Sequence, residues 1–296
     1  MSSADFLLLD GKAASAAWKE HIRKEAAEGV LVGKHRPHLA AILVGDHPAS
    51  AAYVAGKIKD CEEVGFKSTL LRFPADVHKE DLMEAIDALN RRKDVDGFIV
   101  QLPLPNHISE HEVLLAIDPA KDVDGFHPEN VGRMALGLPT FVPATPYGIL
   151  LLLEHFEIPT AGKHAVVVGR SHIVGSPISI LLSQNTPAGN ATVTLVHSRT
   201  EGLEEHLRNA DLVVAAIGKP QFVKGDWIKP GAVVIDVGIH PSGETIVGDV
   251  DAPSVEALLG ETGGLSPVPG GVGPMTSAIL ALHAAQAAER LVRRRA

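Results

Sequence analysis

Two side chains that can do chemistry lie one helical turn apart in the N-terminal half of the chain. Tyr53 and Lys57 are four residues apart, and the same helical stripe continues through Cys61 to Val64, which is apolar. Lys57 could snorkel, with its stem along the apolar stripe and its ammonium group in solvent. A desolvated Lys57 would instead have a pKa lowered towards the range that proton transfer needs. Both interpretations stay open at this point, whereas Lys59 should face away from the stripe.

A glycine-containing turn follows a short apolar run just past the middle of the chain. The segment from Ala165 to Pro177 reads Ala-Val-Val-Val-Gly-Arg-Ser-His-Ile-Val-Gly-Ser-Pro, which is typical of a buried parallel strand, a tight turn and the start of a helix. A dinucleotide needs glycine where backbone approaches its phosphates and free N–H groups at a helix N-terminus, and Gly169 and Gly175 would supply these. The pattern is Gly-x-Ser-x-x-x-Gly rather than Gly-x-Gly-x-x-Gly, so an ordinary strand-to-helix turn also fits it.

The end of the next predicted strand indicates which dinucleotide the turn would take. An NAD site usually has an acidic residue about 20 residues past the glycine turn, where it binds the ribose hydroxyls. Here the strand ends in a serine and an arginine, Ser198 and Arg199, which suit a phosphate on the ribose. Arg170 in the turn could add a second positive charge, so NADP is favoured. Glu201 follows closely and keeps NAD as the alternative.

Strands and helices alternate along most of the chain, which predicts a parallel sheet covered by helices. The predicted strands are Leu39–Val44, Thr69–Phe73, Gly97–Leu102, Ala165–Val168, Thr192–Val196, Leu212–Ile217 and Val233–Val237. The predicted helices are Lys12–Glu28, Ser50–Val64, Lys79–Asn90, Pro146–Phe156, Val174–Leu182 and Leu203–Asn209. We therefore expect an α/β fold.

A domain boundary is predicted near Pro139–Pro146, where three prolines fall within eight residues. Thr145 is a good N-cap, followed by a proline at the first helical position. These signals predict an N-terminal domain over residues 1–145 and a Rossmann-like domain over residues 146–275, where the strand–helix pattern restarts. The glycine- and proline-rich stretch 267–275 is expected to be neither helix nor strand. Thr276 is expected to cap a final helix, 276–296, that packs back on the first domain.

One short sequence occurs twice. Lys-Asp-Val-Asp-Gly-Phe stands at Lys93–Phe98 and again at Lys121–Phe126. It is too short to define a repeat architecture, and the favoured interpretation is Asp-Gly turn chemistry used twice. Both copies are therefore predicted to be turns.

The composition argues against several classes of protein. The 296 residues carry a formal net charge of -9, and the closing Arg293–Arg295 is the one basic block, which argues against a nucleic-acid or anionic-membrane surface. No apolar run approaches the length needed to span a bilayer. The single cysteine, Cys61, excludes an intrachain disulfide framework, fits a reducing cytoplasm and is expected to be an inert core thiol. No metal site is indicated.

A set of longer motifs runs along nearly the whole chain. The motifs are Pro48-Ala-Ser50, Tyr53-Val54, Lys57-x-Lys59-x-Cys61, Gln101-Leu-Pro-Leu-Pro105, Lys121-Asp-Val-Asp-Gly-Phe-His-Pro128, Gly169-Arg-Ser171, Asp236-Val-Gly-Ile239 and Pro267-Val-Pro-Gly-Gly-Val-Gly-Pro-Met-Thr276. Together, and in this order, they resemble the methylenetetrahydrofolate dehydrogenase/methenyltetrahydrofolate cyclohydrolase family.

The resemblance implies a fold, an activity and partners. The fold would be two α/β domains, an N-terminal catalytic domain and a Rossmann-like NADP-binding domain, with the substrate cleft between them. The activity would be NADP-dependent oxidation of 5,10-methylenetetrahydrofolate to the 5,10-methenyl cation, followed by its hydrolysis to 10-formyltetrahydrofolate, in the one-carbon metabolism that serves purine biosynthesis. The substrates would be tetrahydrofolate derivatives, and the assembly a cytoplasmic homodimer formed through the cofactor domains.

The resemblance also implies roles for individual residues. Lys57 matches the family's catalytic lysine, and Gln101 matches the glutamine that contacts it. Tyr53 matches the substrate-stacking tyrosine and Asp124 the carboxylate that binds the pterin amino-pyrimidine edge. The other implied substrate contacts are Ser50, Pro269, Gly270 and Gly271, and the implied cofactor contacts are Gly169, Arg170, Ser171 and Ile239. The residue patterns described above add Gly175, Ser198 and Arg199 to the predicted cofactor contacts.

Two departures from the family pattern and three alternatives accompany this assignment. Ser266 replaces the usual threonine but keeps a hydroxyl, and Ala51-Ala52 is smaller than usual beside Tyr53. The alternatives are a monofunctional dehydrogenase of the same family, a non-catalytic folate- or nucleotide-binding homologue, and a two-domain NADP dehydrogenase of the shikimate type. The last would lack the pairing of Tyr53 and Lys57 with Gln101-Leu-Pro-Leu-Pro105. The intact catalytic residues argue against a non-catalytic homologue.

Overall fold

The computed structural model describes residues 6–30, 35–243 and 245–295 of the chain. The chain divides into two compact units, one formed by Met1–Ser15 with Thr145–Thr276 and the other by Ala16–Ala144 with Ser277–Ala296. We call the first the glycine-turn unit, because it contains Gly169, and the second the lysine unit, because it contains Lys57. Both units combine parallel strands with helices, which confirms the predicted α/β fold.

Helices and strands alternate along the chain. The strands are β1 (Leu7–Leu8), β2 (His38–Val44), β3 (Lys67–Phe73), β4 (Gly97–Val100), β5 (His164–Val168), β6 (Thr192–Val196), β7 (Leu212–Ala215), β8 (Val233–Asp236), β9 (His240–Ser242), β10 (Thr245–Val247) and β11 (Gly264–Leu265). The helices are α1 (Gly11–Glu25), α2 (Pro48–Glu63), α3 (Lys79–Arg91), α4 (Glu110–Ala116), α5 (Pro128–Ala135), α6 (Ala144–His155), α7 (Gly175–Ser183), α8 (Leu203–Arg208), α9 (Ala252–Leu259) and α10 (Val272–Arg295). A π-helical turn covers Ala26–Val30 and a 3₁₀ turn covers Gly225–Trp227.

The lysine unit is built on a three-stranded parallel sheet in the order β3-β2-β4. All seven residues of the central strand β2 are buried, because a middle parallel strand is covered on both faces and has to be apolar almost throughout. Helix α3 buries the stripe Leu82, Ile86 and Leu89 in the same core. Because β2 and β4 are parallel, Gln101, which follows β4, lies at the carboxyl edge of this sheet.

The glycine-turn unit is built on a six-stranded parallel sheet in the order β1-β11-β8-β7-β5-β6. Strands β5, β7 and β8 are short, valine-rich runs that are buried almost throughout, as expected for the centre of a parallel sheet. Residues Val167 of β5 and Val214 of β7 stand opposite each other in the register. The turns that follow β5, β6, β7 and β8 therefore share the carboxyl edge of the sheet, where open α/β sheets bind their ligands.

Strand β1 belongs to the glycine-turn unit, whereas the sequence predicts a single domain over residues 1–145. Leu7 and Leu8 pair in parallel with Gly264 and Leu265 at the edge of the six-stranded sheet. A two-residue strand has no measurable periodicity, and its partner strand lies near the other end of the chain, so the sequence carries no signal for this pairing.

Helices α6 and α10 begin before the residues predicted to cap or start them. Helix α6 begins at Ala144, so Thr145 is not its N-cap, and Thr145 Oγ1 lies 3.0 Å from Thr276 Oγ1 instead. Helix α10 begins at Val272, inside the stretch expected to be irregular, so Thr276 lies within the helix and its hydroxyl donates to the Val272 carbonyl at 3.3 Å. Pro274 is tolerated there because the N–H that proline lacks would have no intrahelical partner in a first turn.

Three helices of seven or eight residues, α4, α5 and α9, are absent from the sequence prediction. Two of them carry capping signals. Ser109 Oγ accepts the N–H of Glu112 at the start of α4, and His127 Nδ1 accepts the N–H of Glu129 at the start of α5. No helix among the described residues is both long and apolar enough to cross a bilayer.

The two copies of Lys-Asp-Val-Asp-Gly-Phe pack against each other in the lysine unit. The N–H of Phe98 donates to the Lys121 carbonyl at 2.9 Å, and a Cβ at Gly97 would lie 2.2 Å from Val123 Cγ1. Gly125 has a φ of 75°, so the second copy is the expected Asp-Gly turn. Gly97 instead begins strand β4 and is glycine because Val123 leaves no room for a side chain. The prediction of an Asp-Gly turn is therefore wrong for the first copy, whereas the predicted strand Gly97–Leu102 does begin at Gly97.

Candidate functional site

Lys57 projects from α2 into the interior of the lysine unit. The residue is 6% exposed, and its Nζ lies 3.2 Å from Gln101 Oε1 and 3.8 Å from Asp124 Oδ1. Cys61 is fully buried one turn further along the same stripe, whereas the side chain of Lys59 is 75% exposed. The ammonium group of Lys57 is thus buried with its stem, and the snorkelling interpretation is wrong.

Gln101 follows β4, and its side-chain amide has a defined orientation. The Nε2 atom donates to the Leu102 carbonyl at 2.6 Å, so Oε1 is the atom that faces Lys57 and accepts from Nζ. The backbone N–H of Gln101 donates to the Ile42 carbonyl at 2.9 Å, which ties the residue to the neighbouring strand β2. Gln101 therefore orients the Lys57 amine without adding a charge to the site.

Asp124 brings a carboxylate to the same cluster and is 6% exposed. Burial raises the pKa of Asp124; the nearby Lys57 ammonium opposes this rise, and the Asp122 carboxylate adds to it. The separation of 3.8 Å from Lys57 Nζ makes the contact an ion pair rather than a hydrogen bond. A carboxylate in this setting can accept two parallel hydrogen bonds from a flat donor edge on a bound molecule.

The loop that carries Asp124 is braced by residues for which the sequence predicts no role. The buried Asp122 carboxylate accepts the N–H of His127 at 2.7 Å and Nδ2 of Asn130 at 2.9 Å. Burial raises the pKa of Asp122, although both hydrogen bonds lower it. The Thr140 hydroxyl donates to Asn130 Oδ1 at 2.6 Å. The repeated hexapeptide is a sequence signal that points to Asp122, whereas a lone asparagine such as Asn130 carries none.

Ser50 and Tyr53 lie on the same helix as Lys57. Tyr53 is one turn before Lys57, and Ser50 one turn before Tyr53, so the spacing puts all three on one face of α2. Ser50 and Tyr53 are half-buried, and burial raises the pKa of the Tyr53 hydroxyl. A partly open aromatic ring can stack on a flat ring of a bound molecule.

The turn between β5 and α7 requires glycine at two positions. Gly169 has a φ of 117°, and a Cβ there would lie 2.0 Å from the Ala216 carbonyl oxygen. A Cβ at Gly175 would lie 2.1 Å from the Gly169 carbonyl oxygen. The exposed Ser171 accepts through Oγ from the N–H groups of Val174 and Gly175 at 3.2 and 3.3 Å. Bare backbone and a helix N-terminus thus meet at the carboxyl edge of the sheet, the arrangement that receives a dinucleotide pyrophosphate.

Ser198 and Arg199 lie in the turn after β6, beside the glycine turn. The N–H of Gly169 donates to the Val196 carbonyl at 2.8 Å, which joins the two turns at one edge of the sheet. Both Ser198 and Arg199 are exposed, and His197 Nδ1 accepts the Arg199 N–H at 3.2 Å. A hydroxyl and a guanidinium presented together can bind a phosphate group.

Two buried carboxylates organise the loop after β8. Asp236 accepts the N–H groups of Gly238 at 3.0 Å and Asp249 at 2.8 Å, and burial raises its pKa to about 6 although these bonds lower it. Asp249 Oδ1 lies 2.7 Å from His240 Nε2. Ile239, between Gly238 and His240, is 38% exposed. The carboxylates therefore fix the segment that presents Ile239; Asp236 belongs to a motif quoted above, whereas no sequence signal indicates Asp249.

Pro269, Gly270 and Gly271 lie immediately before α10, in the glycine-turn unit. Gly270 has a φ of 108°, a conformation that favours glycine. Ser266, just before this segment, accepts the N–H of Asp236 through its hydroxyl at 2.8 Å. Ser266 therefore makes this hydrogen bond through the hydroxyl that it has in common with the family's usual threonine.

The structure brings together the predicted site residues in two groups. Lys57, Gln101 and Asp124 form one cluster in the lysine unit, with Ser50 and Tyr53 on the helix that carries Lys57. The glycine-turn unit holds the others, which are Gly169, Arg170, Ser171, Gly175, Ser198, Arg199, Ile239, Pro269, Gly270 and Gly271. Within the described ranges, no three His, Cys, Asp or Glu side chains are grouped as a metal site would require.

Models of one protein family match both parts of the chain. The model of the tetrahydrofolate dehydrogenase/cyclohydrolase catalytic domain matches residues 9–124. The model of the tetrahydrofolate dehydrogenase/cyclohydrolase NAD(P)-binding domain matches residues 143–292. The two matches together cover most of the chain.

Known relatives are similar over nearly the full length. A bifunctional protein FolD from Cytophaga hutchinsonii is 54% identical over 288 residues, 95% of this chain and 98% of the relative. A crystal structure of the bifunctional enzyme FolD from Campylobacter jejuni is 42% identical, covers 97% of this chain and 99% of its own, and superposes with a TM-score of 0.90. The Trypanosoma brucei enzyme, solved with NADP cofactor and an inhibitor, is 34% identical, covers 99% of this chain and 100% of its own, and has a TM-score of 0.90.

Proposed function

The chain belongs to the tetrahydrofolate dehydrogenase/cyclohydrolase family, and we propose that the buried cluster of Lys57, Gln101 and Asp124 serves both reactions of that family. The protein is a bifunctional enzyme that oxidises 5,10-methylenetetrahydrofolate with NADP and hydrolyses the 5,10-methenyl product to 10-formyltetrahydrofolate. The observation that carries the proposed roles is the burial of Lys57 with its Nζ 3.2 Å from Gln101 Oε1 and 3.8 Å from Asp124 Oδ1.

NADP is the cofactor, and the glycine turn fits it. A Cβ at Gly169 or Gly175 would collide with backbone, so both positions have to be glycine. Without side chains there, a pyrophosphate can come close to the backbone of the turn. Bound NADP supplies the hydride acceptor for the oxidation. The exposed Arg170 and Arg199 suit the ribose phosphate. The proposed cofactor contacts are Gly169, Arg170, Ser171, Gly175, Ser198, Arg199 and Ile239.

In the oxidation step, the residues of this chain orient the folate. Hydride leaves the methylene carbon directly, assisted by electron donation from a folate nitrogen, so the step depends on positioning more than on proton transfer. We assign Asp124 to the pterin amino-pyrimidine edge, where it accepts two hydrogen bonds, and Tyr53 to the face of the pterin. The further proposed substrate contacts are Ser50, Pro269, Gly270 and Gly271.

In the hydrolysis step, a proton has to move twice. Water attacks the methenyl carbon and loses a proton, and a ring nitrogen gains a proton as its bond to that carbon breaks. Lys57 Nζ is the group assigned to both transfers. Gln101 holds the amine through Oε1, because its Nε2 is committed to the Leu102 carbonyl.

The assigned roles predict that Lys57→Met separates the two reactions. Methionine keeps most of the stem and removes the amine, so the cyclohydrolase should fall about a hundredfold or more, the scale of a general acid or base. The dehydrogenase should fall less, and methenyltetrahydrofolate should accumulate. A spectrophotometric assay that follows NADPH, methenyl formation and methenyl decay in one cuvette measures all three quantities.

Binding of NADP and folate to the Lys57→Met variant is the control. An equal loss of both activities in a variant that still binds both ligands would show that Lys57 also acts in hydride transfer or alignment. That result would contradict a proton role confined to hydrolysis.

We further propose that the enzyme is a cytoplasmic homodimer formed through its glycine-turn units. The support is the resemblance of the chain's motifs to the family. Light scattering should give twice the mass of one chain, and a monomer at the concentration used for the assays would contradict the proposal.

A further inference from the structure

His283 is a buried side chain of α10 in the lysine unit, and none of the proposed steps uses it. It is 2% exposed, and its Nδ1 lies 2.8 Å from the carbonyl oxygen of Val123, 160 residues away in the sequence. That carbonyl and the backbone nitrogen of Asp124 belong to the same peptide group. His283 therefore holds the peptide that leads directly into the carboxylate assigned to the pterin.

The ring of His283 is fixed and uncharged. It packs against the fully buried ring of Phe141, with the centroids 5.3 Å apart and an angle of 51° between the planes. Burial lowers the pKa of His283 to about 4, although the hydrogen bond to Val123 opposes the shift. A neutral imidazole has one N–H and a carbonyl can only accept, so the proton is on Nδ1. Nδ1–H thus donates to Val123 at neutral pH.

The following peptide group is held by backbone contacts. The Asp124 carbonyl accepts the N–H of Ala144 at 3.1 Å. A Cβ at Gly125 would lie 2.6 Å from the Val142 carbonyl carbon, so the turn after Asp124 is tightly enclosed. Without the His283 contact, the peptide before Asp124 would lose the side-chain hydrogen bond that resists its rotation, while the peptide after it would keep its bond from Ala144. Such a rotation swings the carboxylate, and a misplacement of about 1 Å in a positioning group has large effects on a reaction.

We infer that His283 is a positioning residue for the folate: its hydrogen bond to Val123 fixes where the Asp124 carboxylate meets the pterin edge. The inference rests on the proposed role of Asp124. If His283 had a purely structural role, its loss would lower the stability of the protein but would not selectively raise the KM for the folate substrate.

Three variants of His283 in the full-length enzyme test the inference. His283→Leu removes the N–H donor but keeps most of the side-chain volume, and His283→Ala removes both. His283→Asn keeps an N–H donor at the position of Nδ1. The KM for methylenetetrahydrofolate should rise about fivefold to tenfold in the Leu and Ala variants, the effect of one lost hydrogen bond. The KM for NADP should stay within about twofold of the wild-type value in all three variants. In His283→Asn, the KM for methylenetetrahydrofolate should also lie within about twofold of the wild-type value.

Either of two results overturns the inference. One is an unchanged folate KM in a folded Leu or Ala variant, and the other is an equal rise in the KM values for folate and NADP, which is typical of a general loss of stability. Because the Ala variant introduces no new bulk, it keeps the test open if the Leu variant fails to fold.

Asp124→Asn separates a failure of this inference from a failure of the proposed function. If Asp124→Asn leaves the folate KM unchanged, the role of Asp124 is wrong and the inference about His283 falls with it. If Asp124→Asn raises the KM, then adding His283→Leu should raise it by less than it does in the wild-type background, because both residues act through the same side chain. A full additional rise would overturn the inference while leaving the role of Asp124 intact.

Discussion

The two copies of Lys-Asp-Val-Asp-Gly-Phe in the lysine unit have the same residues and different contacts. In the first copy, the fully buried Asp96 carboxylate accepts the N–H of His38 at 2.8 Å, and His35 Nε2 lies 2.8 Å from its oxygens. In the second copy, Asp124 faces Lys57 at 3.8 Å, and in the described part of the chain no backbone N–H donates to its carboxylate. Asp96 thus ties the start of β2 in place, whereas the Asp124 carboxylate has the open acceptor positions that its proposed role toward the pterin requires.

The lysines of the two copies differ in the opposite sense. Lys93 is exposed, whereas Lys121 is buried and its Nζ donates to the carbonyls of Leu89 at 2.8 Å and Arg92 at 2.6 Å, at the carboxyl end of α3. The elements that follow each copy explain the contrast, because the first copy leads into strand β4 and the second into the turn at Gly125. A short motif therefore has to be interpreted with its neighbours before its residues are given a role.

Acid should destabilise the protein through His283, whose ring holds the Val123 carbonyl in the second copy. The pKa of His283 is about 4 in the folded protein, below its ordinary 6.5, so the unfolded chain binds more protons between these values and stability falls as the pH falls through them. Between pH 7 and pH 4, wild type should lose on the order of 2–3 kcal/mol more unfolding free energy than His283→Asn. Urea unfolding at each pH measures the difference. Parallel pH profiles for the two proteins would show that His283 is not desolvated as described.

The packing of one copy on the other predicts a smaller effect with a specific rescue. Gly97→Ala places a Cβ against Val123 Cγ1, and this overpacking should cost about 1–3 kcal/mol of unfolding free energy in urea. Adding Val123→Ala removes the Cγ1 atom and should recover part of the loss. Gly125→Ala is the matched control, because its clash is with the backbone of Val142 and its φ of 75° disfavours alanine. If Val123→Ala rescued both glycine variants equally, the distinction between the copies would be wrong.

Part of the architecture and of the site could be predicted from the sequence. The alternation of apolar strands with amphipathic helices indicates the α/β fold, because long periodic segments carry the strongest signal. The apolar stripe that Lys57 shares with Cys61 indicates an unusual lysine, although only the structure shows the ammonium group to be buried. The roles of Gln101 and Asp124 came from the family resemblance and not from their spacing.

The supporting residues could not be predicted. His283 acts on Val123 across 160 residues, and a single histidine in an apolar helix has the same sequence pattern whether it contacts solvent or a carbonyl. Asp249 reaches the N–H of Gly218 across 31 residues, and Asn130 reaches Asp122 from a helix of only eight residues. Each of these contacts depends on tertiary structure, which local propensity does not encode.

The most direct test of the different roles of the two copies is a side-by-side measurement of Asp96→Asn and Asp124→Asn. Asp124→Asn should raise the KM for methylenetetrahydrofolate about tenfold to a hundredfold, because an amide replaces one charge-assisted acceptor with a donor. Asp96→Asn should leave that KM within about twofold and lower the unfolding free energy by about 1–3 kcal/mol, because His35 or His38 loses its acceptor. An equal rise in folate KM in both variants, with no loss of stability in Asp96→Asn, would contradict the account.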